Sequence, residues 1–262
     1  TLDLSGPSWQ QVTLTGANLT ILSPGESYPD LLLQAIRESA AVGNLVFDAQ
    51  IVALNARSGR PIWKTAVASS KSGYSITVSP LVVKDKVIIG VGGGEYGIRG
   101  FIAAYDTLTG KEVWRFYTVP GPGEPGHETW EPCPPNSASY CDPEAWKHGG
   151  GSVWVTGSYD PALNQTYWGT GNVGPDYAHE QRPGDNLYTA SVVALDADTG
   201  TLRWHYQFTP HDRYDYDAVQ VPVLADITMR GAPVKAMLWA NRNGNFYVLD
   251  RATGKFLLGK PF

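Results

Sequence analysis

From Thr209 to Asp217 the chain reads Thr-Pro-His-Asp-Arg-Tyr-Asp-Tyr-Asp, with Asp212, Asp215 and Asp217 crowded into one polar run. Two carboxylates about 4 Å apart repel by roughly 4 kcal/mol at an effective dielectric near 20, so acids that converge need a cation or protons between them. In extended backbone Asp215 and Asp217 project from the same face, because side chains alternate with period two. That pair could ligate a metal. The same run could equally be a solvated turn in which each Asp caps its own backbone.

The rest of the chain must supply elements that hold such a run in place. Its 262 residues are 42% hydrophobic, enough for a core, but only 17% charged, with 29 Gly, 19 Pro, nine Trp and 14 Tyr. Many tight turns joining short aromatic-rich strands account for that balance, and they predict an all-β protein. A net charge of -5 with no Lys/Arg run argues against a nucleic-acid surface. No apolar run reaches the roughly 18 residues of a membrane-spanning helix. Cys133 and Cys141 stand in a Pro-rich loop from about Val119 to Trp146, either as two thiols or as a local disulfide. A bridge would imply an oxidising compartment such as the periplasm, with an exported protein present in mature form.

A repeat supplies the architecture. Asn55-Ala-Arg-Ser-Gly59, Asp106-Thr-Leu-Thr-Gly110, Asp196-Ala-Asp-Thr-Gly200 and Asp250-Arg-Ala-Thr-Gly254 each follow an apolar strand, and Trp63, Trp114 and Trp204 follow the first three. Each copy reads as a β-hairpin, with an Asx-type turn begun by Asp or Asn and closed by a Gly of positive φ. Further hairpins at 77–91 and 152–171 bring the unit to four antiparallel strands, the size of a β-propeller blade. The interval of 90 residues between Gly110 and Gly200, against 51 and 54 for the others, fits a blade swollen by the Cys133–Cys141 loop. A β-sandwich does not predict this spacing. Residues 1–45 lack the repeat and read as an atypical N-terminal segment; Leu32, Ala35, Ile36 and Ser39 fall at helical spacing and predict one short helix over Pro29 to Ala41, capped by Ser27. Residues 46–262 are then about four blades of a propeller.

The repeated turn resembles the tryptophan-docking motif of quinoproteins. The segments GGGEYGIRG (92–100), WKHGGGSVW (146–154), YWGTGN (167–172), RPGDNLY (182–188), TPHDRYDYDA (209–218) and NRNG (241–244) resemble, in order, the pyrroloquinoline quinone (PQQ)-dependent alcohol dehydrogenases. The resemblance covers about Ile51 to Phe262. It implies an eight-bladed propeller with PQQ near its axis and oxidation of a primary alcohol to an aldehyde, the quinone polarised by a metal. It implies Glu95 and Asn172 as metal ligands, Asp215 as both ligand and general base, and Trp154 as the floor beneath the quinone. Gly93 and Gly94 are implied as backbone above the quinone, Thr77 as a contact to a PQQ carboxylate, and Arg242 as the cation beside the reducible carbonyl. A second Asp two places after the base resembles lanthanide-dependent members, where calcium-dependent ones carry a small residue. With Glu95 and Asp215, Asp217 makes three negative charges, better matched to a trivalent ion than to Ca²⁺.

Each residue also has a plainer reading. Glu95 could be a turn carboxylate, Asn172 a left-handed turn residue, Trp154 blade packing and Arg242 the partner of a surface acid. His148 and His211 read as structural, since hard cations take oxygen donors. Four repeat turns make about half of the expected ring, so the remaining blades are expected from the rest of a longer chain or from a partner chain. The alternatives are an inactive fragment and a non-catalytic propeller that binds proteins. The electron acceptor implied is a c-type cytochrome, carried elsewhere because no C-x-x-C-H motif occurs here.

Overall fold

This computed structural model describes residues 49–262, together with the backbones of two earlier strands. Among the described residues sixteen strands form four antiparallel four-stranded sheets. The first holds β1 (Ala17–Ile21), β2 (Leu31–Ile36), β3 (Ala49–Asn55) and β4 (Pro61–Ala68), and the second β5 (Leu81–Val83), β6 (Lys86–Gly90), β7 (Phe101–Asp106) and β8 (Glu112–Tyr117). The third holds β9 (Ser158–Asp160), β10 (Gln165–Gly169), β11 (Ser191–Asp196) and β12 (Leu202–Gln207). The fourth is β13 (Val223–Met229), β14 (Ala232–Asn241), β15 (Asn245–Asp250) and β16 (Phe256–Pro261). Strands consecutive in sequence are neighbours in every sheet, the up-and-down order of propeller blades.

The helix expected over Pro29 to Ala41 is corrected. Its described part, Leu31–Ile36, is β2, paired with β1 on one side and β3 on the other. A six-residue apolar run fits either period, and here the free backbone edge of β3 decides the outcome. The other residues of that prediction lie outside the described ones. The first blade thus draws two strands from the segment before residue 46.

The repeated turn forms as its residue types dictate. Asp106 Oδ1 accepts hydrogen bonds from the backbone N–H of Leu108 (3.1 Å) and Thr109 (2.8 Å), and Gly110 closes the turn at φ 69°. Asn55, Asp196 and Asp250 do the same in their own copies. The turns of the second, third and fourth blades also receive a tryptophan from the blade before. Trp63 Nε1 donates to the Thr107 carbonyl at 2.9 Å, Trp114 Nε1 to Ala197 at 3.2 Å and Trp204 Nε1 to Arg251 at 3.2 Å. The indoles lie so close to the closing glycines that a Cβ on Gly110, Gly200 or Gly254 would come within 2.6 Å of a ring atom. Glycine therefore serves positive φ and close approach together, and the second demand is invisible in a single repeat.

Apolar faces of the sheets pack between blades. One cluster joins Ile51, Ile88, Ile89, Phe101 and Trp114 of the first two blades to Trp168 and Val193 of the third; a second joins Tyr167 and Trp204 to Met237, Trp239 and Leu249 of the fourth. Between the second and third blades the long excursion is pinned by the Cys133–Cys141 disulfide, with Cα atoms 5.7 Å apart. Arg99 anchors its start, stacked over Tyr117 at 3.9 Å and donating from Nε to the Val119 carbonyl at 2.7 Å. At the inner ends of the blades, isolated main-chain pairings link successive segments: Ser75 with Gly92, Val153 N–H with the Val91 carbonyl (2.7 Å), Gly171 N–H with the Ser152 carbonyl (2.7 Å), and Thr170 with Ala218. The segments that carry Thr77, Gly93, Glu95, Trp154, Asn172, Asp215 and Asp217 are joined by this ladder, and Arg242 lies outside it.

Gly59 and Gly200 share nearly the same backbone, φ 67° and 70°, but a Cβ at Gly59 would meet nothing within 4 Å, whereas one at Gly200 would lie 2.5 Å from Trp114. Gly59→Ala is expected to cost about 1–2 kcal/mol from the left-handed backbone alone. Gly200→Ala should cost roughly 1–3 kcal/mol more from overpacking against the indole, compared by chemical denaturation of the two variants.

Candidate active site

Two groups of candidate residues meet at the inner ends of the second, third and fourth blades. The first lines a cavity of about 730 Å³ with Thr77, Gly93, Glu95, Tyr96 and Trp154. Gly93, at φ 112°, turns the chain into the single 3₁₀ turn Gly94–Tyr96, which carries Glu95 out to solvent. A Cβ on Gly93 would lie 2.0 Å from the Gly73 carbonyl oxygen, so only glycine brings this turn so close to the neighbouring backbone. Trp154 does not pack a blade: its side chain stands 39% exposed against the cavity, while Trp114, Trp168, Trp204 and Trp239 are buried. Thr77 Oγ1 donates to the Trp154 carbonyl at 3.0 Å and so braces the backbone beneath the indole.

The second group is a hydrogen-bonded acidic cluster. Asp217, only 7% exposed, accepts at Oδ1 from the Asn172 backbone N–H (3.0 Å) and at Oδ2 from Arg242 Nη1 (2.8 Å). Arg242 Nη2 lies 3.5 Å from Asp215 Oδ2, so one guanidinium faces both acids. Arg242 is thus no partner of a stray surface acid. Gln220 supports the cluster from below, donating to the Asp217 carbonyl (3.3 Å) and accepting from Trp239 Nε1 (3.0 Å). The two groups join where the Trp154 indole N–H faces the Asp217 carboxylate. Asn172 is not left-handed; among the described residues the positive-φ positions include Asp215 and His211 instead.

Asp215 and Asp217 do not share a strand face: of the two readings of this run, extended or turned, the backbone takes the turn. Asp212, 2% exposed, accepts the backbone N–H of Tyr214 (2.9 Å) and of Tyr216 (2.7 Å), and Asp215 takes φ 59°. The buried Asp212 carboxylate curls the chain, and the curl carries both later acids to Arg242. His211 is structural in this sense: Nδ1 lies 2.7 Å from the Gly184 carbonyl and Nε2 3.2 Å from His179 Nδ1. His148 pairs with Asp142 at 2.8 Å.

The electrostatics are unbalanced toward negative charge. Burial is the main cause that pushes the Asp217 carboxyl above its ordinary range; the Asn172 N–H opposes it, Asp215 adds to it, and Arg242 and Trp154 oppose it. Asp215 is also raised, first by burial, against Arg242, with Asp176, Asp212 and Glu95 adding repulsion. Among the described residues no three Asp, Glu, His or Cys side chains converge as a ready-made metal cluster, and Arg242 supplies the countercharge to both acids. The donors available are nevertheless all oxygens: the carboxylates of Glu95, Asp215 and Asp217 and the Asn172 amide, whose Oδ1 lies 3.9 Å from the Cβ position of Gly94. Such a set suits a hard cation, and an exposed indole beside a cavity of about 730 Å³ suits a flat ring system. The sequence did not single out Asp176, which accepts from Asn172 Nδ2 at 2.5 Å; four residues on in a Gly-Pro loop, it carries no periodic signal.

A family model for the β-propeller domain of glucose/ethanol/alcohol dehydrogenases with PQQ matches residues 64–259, three quarters of the chain. The chain belongs to this family. It is 46% identical over 224 residues to the quinohemoprotein alcohol dehydrogenase ADH IIB of Pseudomonas putida, covering 84% of this chain and 32% of that protein. It is 43% identical over 234 residues to the lanthanide-dependent methanol dehydrogenase of Methylacidiphilum fumariolicum, covering 82% and 36%. A solved europium-containing methanol dehydrogenase superposes with TM-score 0.77 at 38% identity, over 94% of this chain and 41% of the other. The chain therefore spans about a third of the length of these family members. Among the described residues no helix is long and apolar enough to cross a membrane.

Removing the shared cation should leave Asp217 buried and unpaired, so Arg242→Gln is expected to destabilise the protein in chelating buffer. Because Arg242 is half exposed, the expected loss is about 1–2 kcal/mol rather than the full cost of a broken buried pair. Asp215→Asn, which relieves repulsion, should be neutral or stabilising in the same denaturation experiment.

Proposed function

We propose that this chain carries the metal-binding side and the indole floor of a PQQ-dependent dehydrogenase that oxidises a primary alcohol to its aldehyde. The observation that carries this reading is the convergence of Trp154, Asn172, Asp215, Asp217 and Arg242 through the buried Asp217 carboxylate. A metal-polarised quinone bound here supplies the acceptor for the hydride that leaves the alcohol carbon. The chain's own groups do the rest. Trp154 would offer its exposed indole face as the floor, with Gly93 and Gly94 bringing backbone close from the facing turn and Thr77 at the cavity wall for a quinone carboxylate. Glu95, Asn172, Asp215 and Asp217 would hold the cation. Asp215 would take the hydroxyl proton of the alcohol; a carboxylate raised by burial and by acidic neighbours is a stronger base than an ordinary one. Arg242 would keep a positive charge beside the reducible carbonyl while holding Asp215 and Asp217 in place.

Three carboxylates in the donor set favour a trivalent lanthanide over Ca²⁺, and the lanthanide-dependent and europium-containing relatives support that preference. The Cys133–Cys141 bridge supports a periplasmic location. The quinohemoprotein relative supports a haem or c-type cytochrome as the electron acceptor. The blades beyond these four would come from the rest of a longer chain or from a partner chain.

Titrating metal-stripped full-length protein with La³⁺ or Ca²⁺ while following PQQ-dependent alcohol oxidation tests this. Activity is expected with La³⁺, and a fall of about 10²–10⁴-fold in kcat for Asp215→Asn, the usual worth of a positioned base. Full activity with Ca²⁺ alone would contradict the metal preference, and an unimpaired Asp215→Asn the assignment of the base.

A further inference from the structure

Asn172 is 9% exposed, and every donor it has is committed. Its backbone N–H goes to Asp217 Oδ1 at 3.0 Å, and its side-chain Nδ2 to Asp176 Oδ1 at 2.5 Å and to the Val173 carbonyl at 3.3 Å. Both partners of Nδ2 are pure acceptors, so the amide can face them only with its NH₂ group. That fixes Oδ1 on the opposite side, 3.9 Å from the Cβ position of Gly94 and next to the turn that carries Glu95. Oδ1 accepts no hydrogen bond among the described residues. Oδ1 is not among the buried side-chain oxygens left without a partner, so it stands open to water or to a bound ion on the Gly94 side.

Asp176 is itself held firmly. Arg182, 1% exposed, donates from Nη2 to the Asp176 carbonyl (2.8 Å) and to the Asp212 carbonyl (2.6 Å), and from Nε to the Pro175 carbonyl (3.0 Å). One buried guanidinium therefore ties the loop that carries Asp176 to the loop that carries Asp215 and Asp217. We infer that Asp176 is a positioning residue of the metal site, locking the Asn172 amide so that its carbonyl oxygen is presented to the cation. This rests on the metal reading proposed above. Asp176 acts through Asn172, and its role is the one a carboxylate plays behind a metal-bound histidine: it fixes which atom of the ligand faces the ion.

The test separates orientation from charge. Tb³⁺ alone is titrated into metal-stripped full-length protein and read by indole-sensitised luminescence, with melting temperature as a fold control. Asp176→Ala is expected to bind Tb³⁺ about tenfold or more weakly at unchanged melting temperature, since outer partners of metal ligands are typically worth 10–100-fold in affinity. Asp176→Asn, whose amide oxygen can still accept from Asn172 Nδ2, should stay within a few-fold of the unaltered protein. Equal affinity for Asp176→Ala and the unaltered protein would overturn the inference while leaving the metal site standing. An equal loss in Asp176→Asn and Asp176→Ala would also overturn it, because charge or direct ligation would then be the cause. No Tb³⁺ binding by the unaltered protein would overturn the metal reading and this inference with it.

Discussion

Asp217 holds a carboxylate almost entirely out of water, and three parts of the chain are arranged to make that tolerable. One oxygen meets the Asn172 N–H from the third blade, the other meets Arg242 from the β14–β15 turn, and the Trp154 indole N–H faces the pair. A buried carboxylate with no such partners would cost several kcal/mol or simply take up a proton. The cost links the parts: moving any one partner strands the charge, so the segments around residues 154, 172 and 242 are fixed with respect to each other. Even so, the balance is negative, with Asp215, Asp176, Asp212 and Glu95 all adding to the field. Acids crowded in this way repel one another, and a cation placed among them would relieve that repulsion.

That arrangement requires a rigid frame, and the frame is built from a contact between blades. Each docked tryptophan closes on the turn of the following blade through one indole N–H and one glycine that has no Cβ to obstruct the ring. Because the same position is used each time, neighbouring blades keep one relationship, and the inner main-chain pairings fall into line from Ser75 to Ala218. Arg182 does at the rim what tryptophan does at the periphery. It satisfies carbonyls from two loops at once, and burial pushes its pKa down to about 10 despite the acids around it.

Local chemistry was legible in the sequence; distant pairing was not. Asp106, Thr109 and Gly110 sit within one turn, so the repeat and the all-β architecture could be read from residue types alone. The partner of Trp114 lies at Ala197, 83 residues on, and nothing in the turn announces it. Leu31–Ile36 was misread because an apolar run of that length satisfies two periods and only the edge of β3 chooses between them. At the site, family motifs named Glu95, Trp154, Asn172, Asp215 and Arg242; Asn172, Asp215 and Arg242 meet around Asp217, with Glu95 exposed on the turn that lines the cavity beside Trp154. The run around Asp215 could be read as extended or as a self-capped turn, and the Asp212 carboxylate decides for the turn by capping Tyr214 and Tyr216. Asp176 was missed for a related reason, since its importance comes from facing Asn172 and not from any pattern it belongs to.

The most direct test of this account is the position of the ion. Anomalous diffraction from crystals of the full-length protein loaded with La³⁺ and PQQ should show one strong site among oxygens of Glu95, Asn172, Asp215 and Asp217, with the quinone lying on the Trp154 ring. A lanthanide found elsewhere, or a bare indole with Asp215 and Asp217 still turned wholly to Arg242, would contradict it.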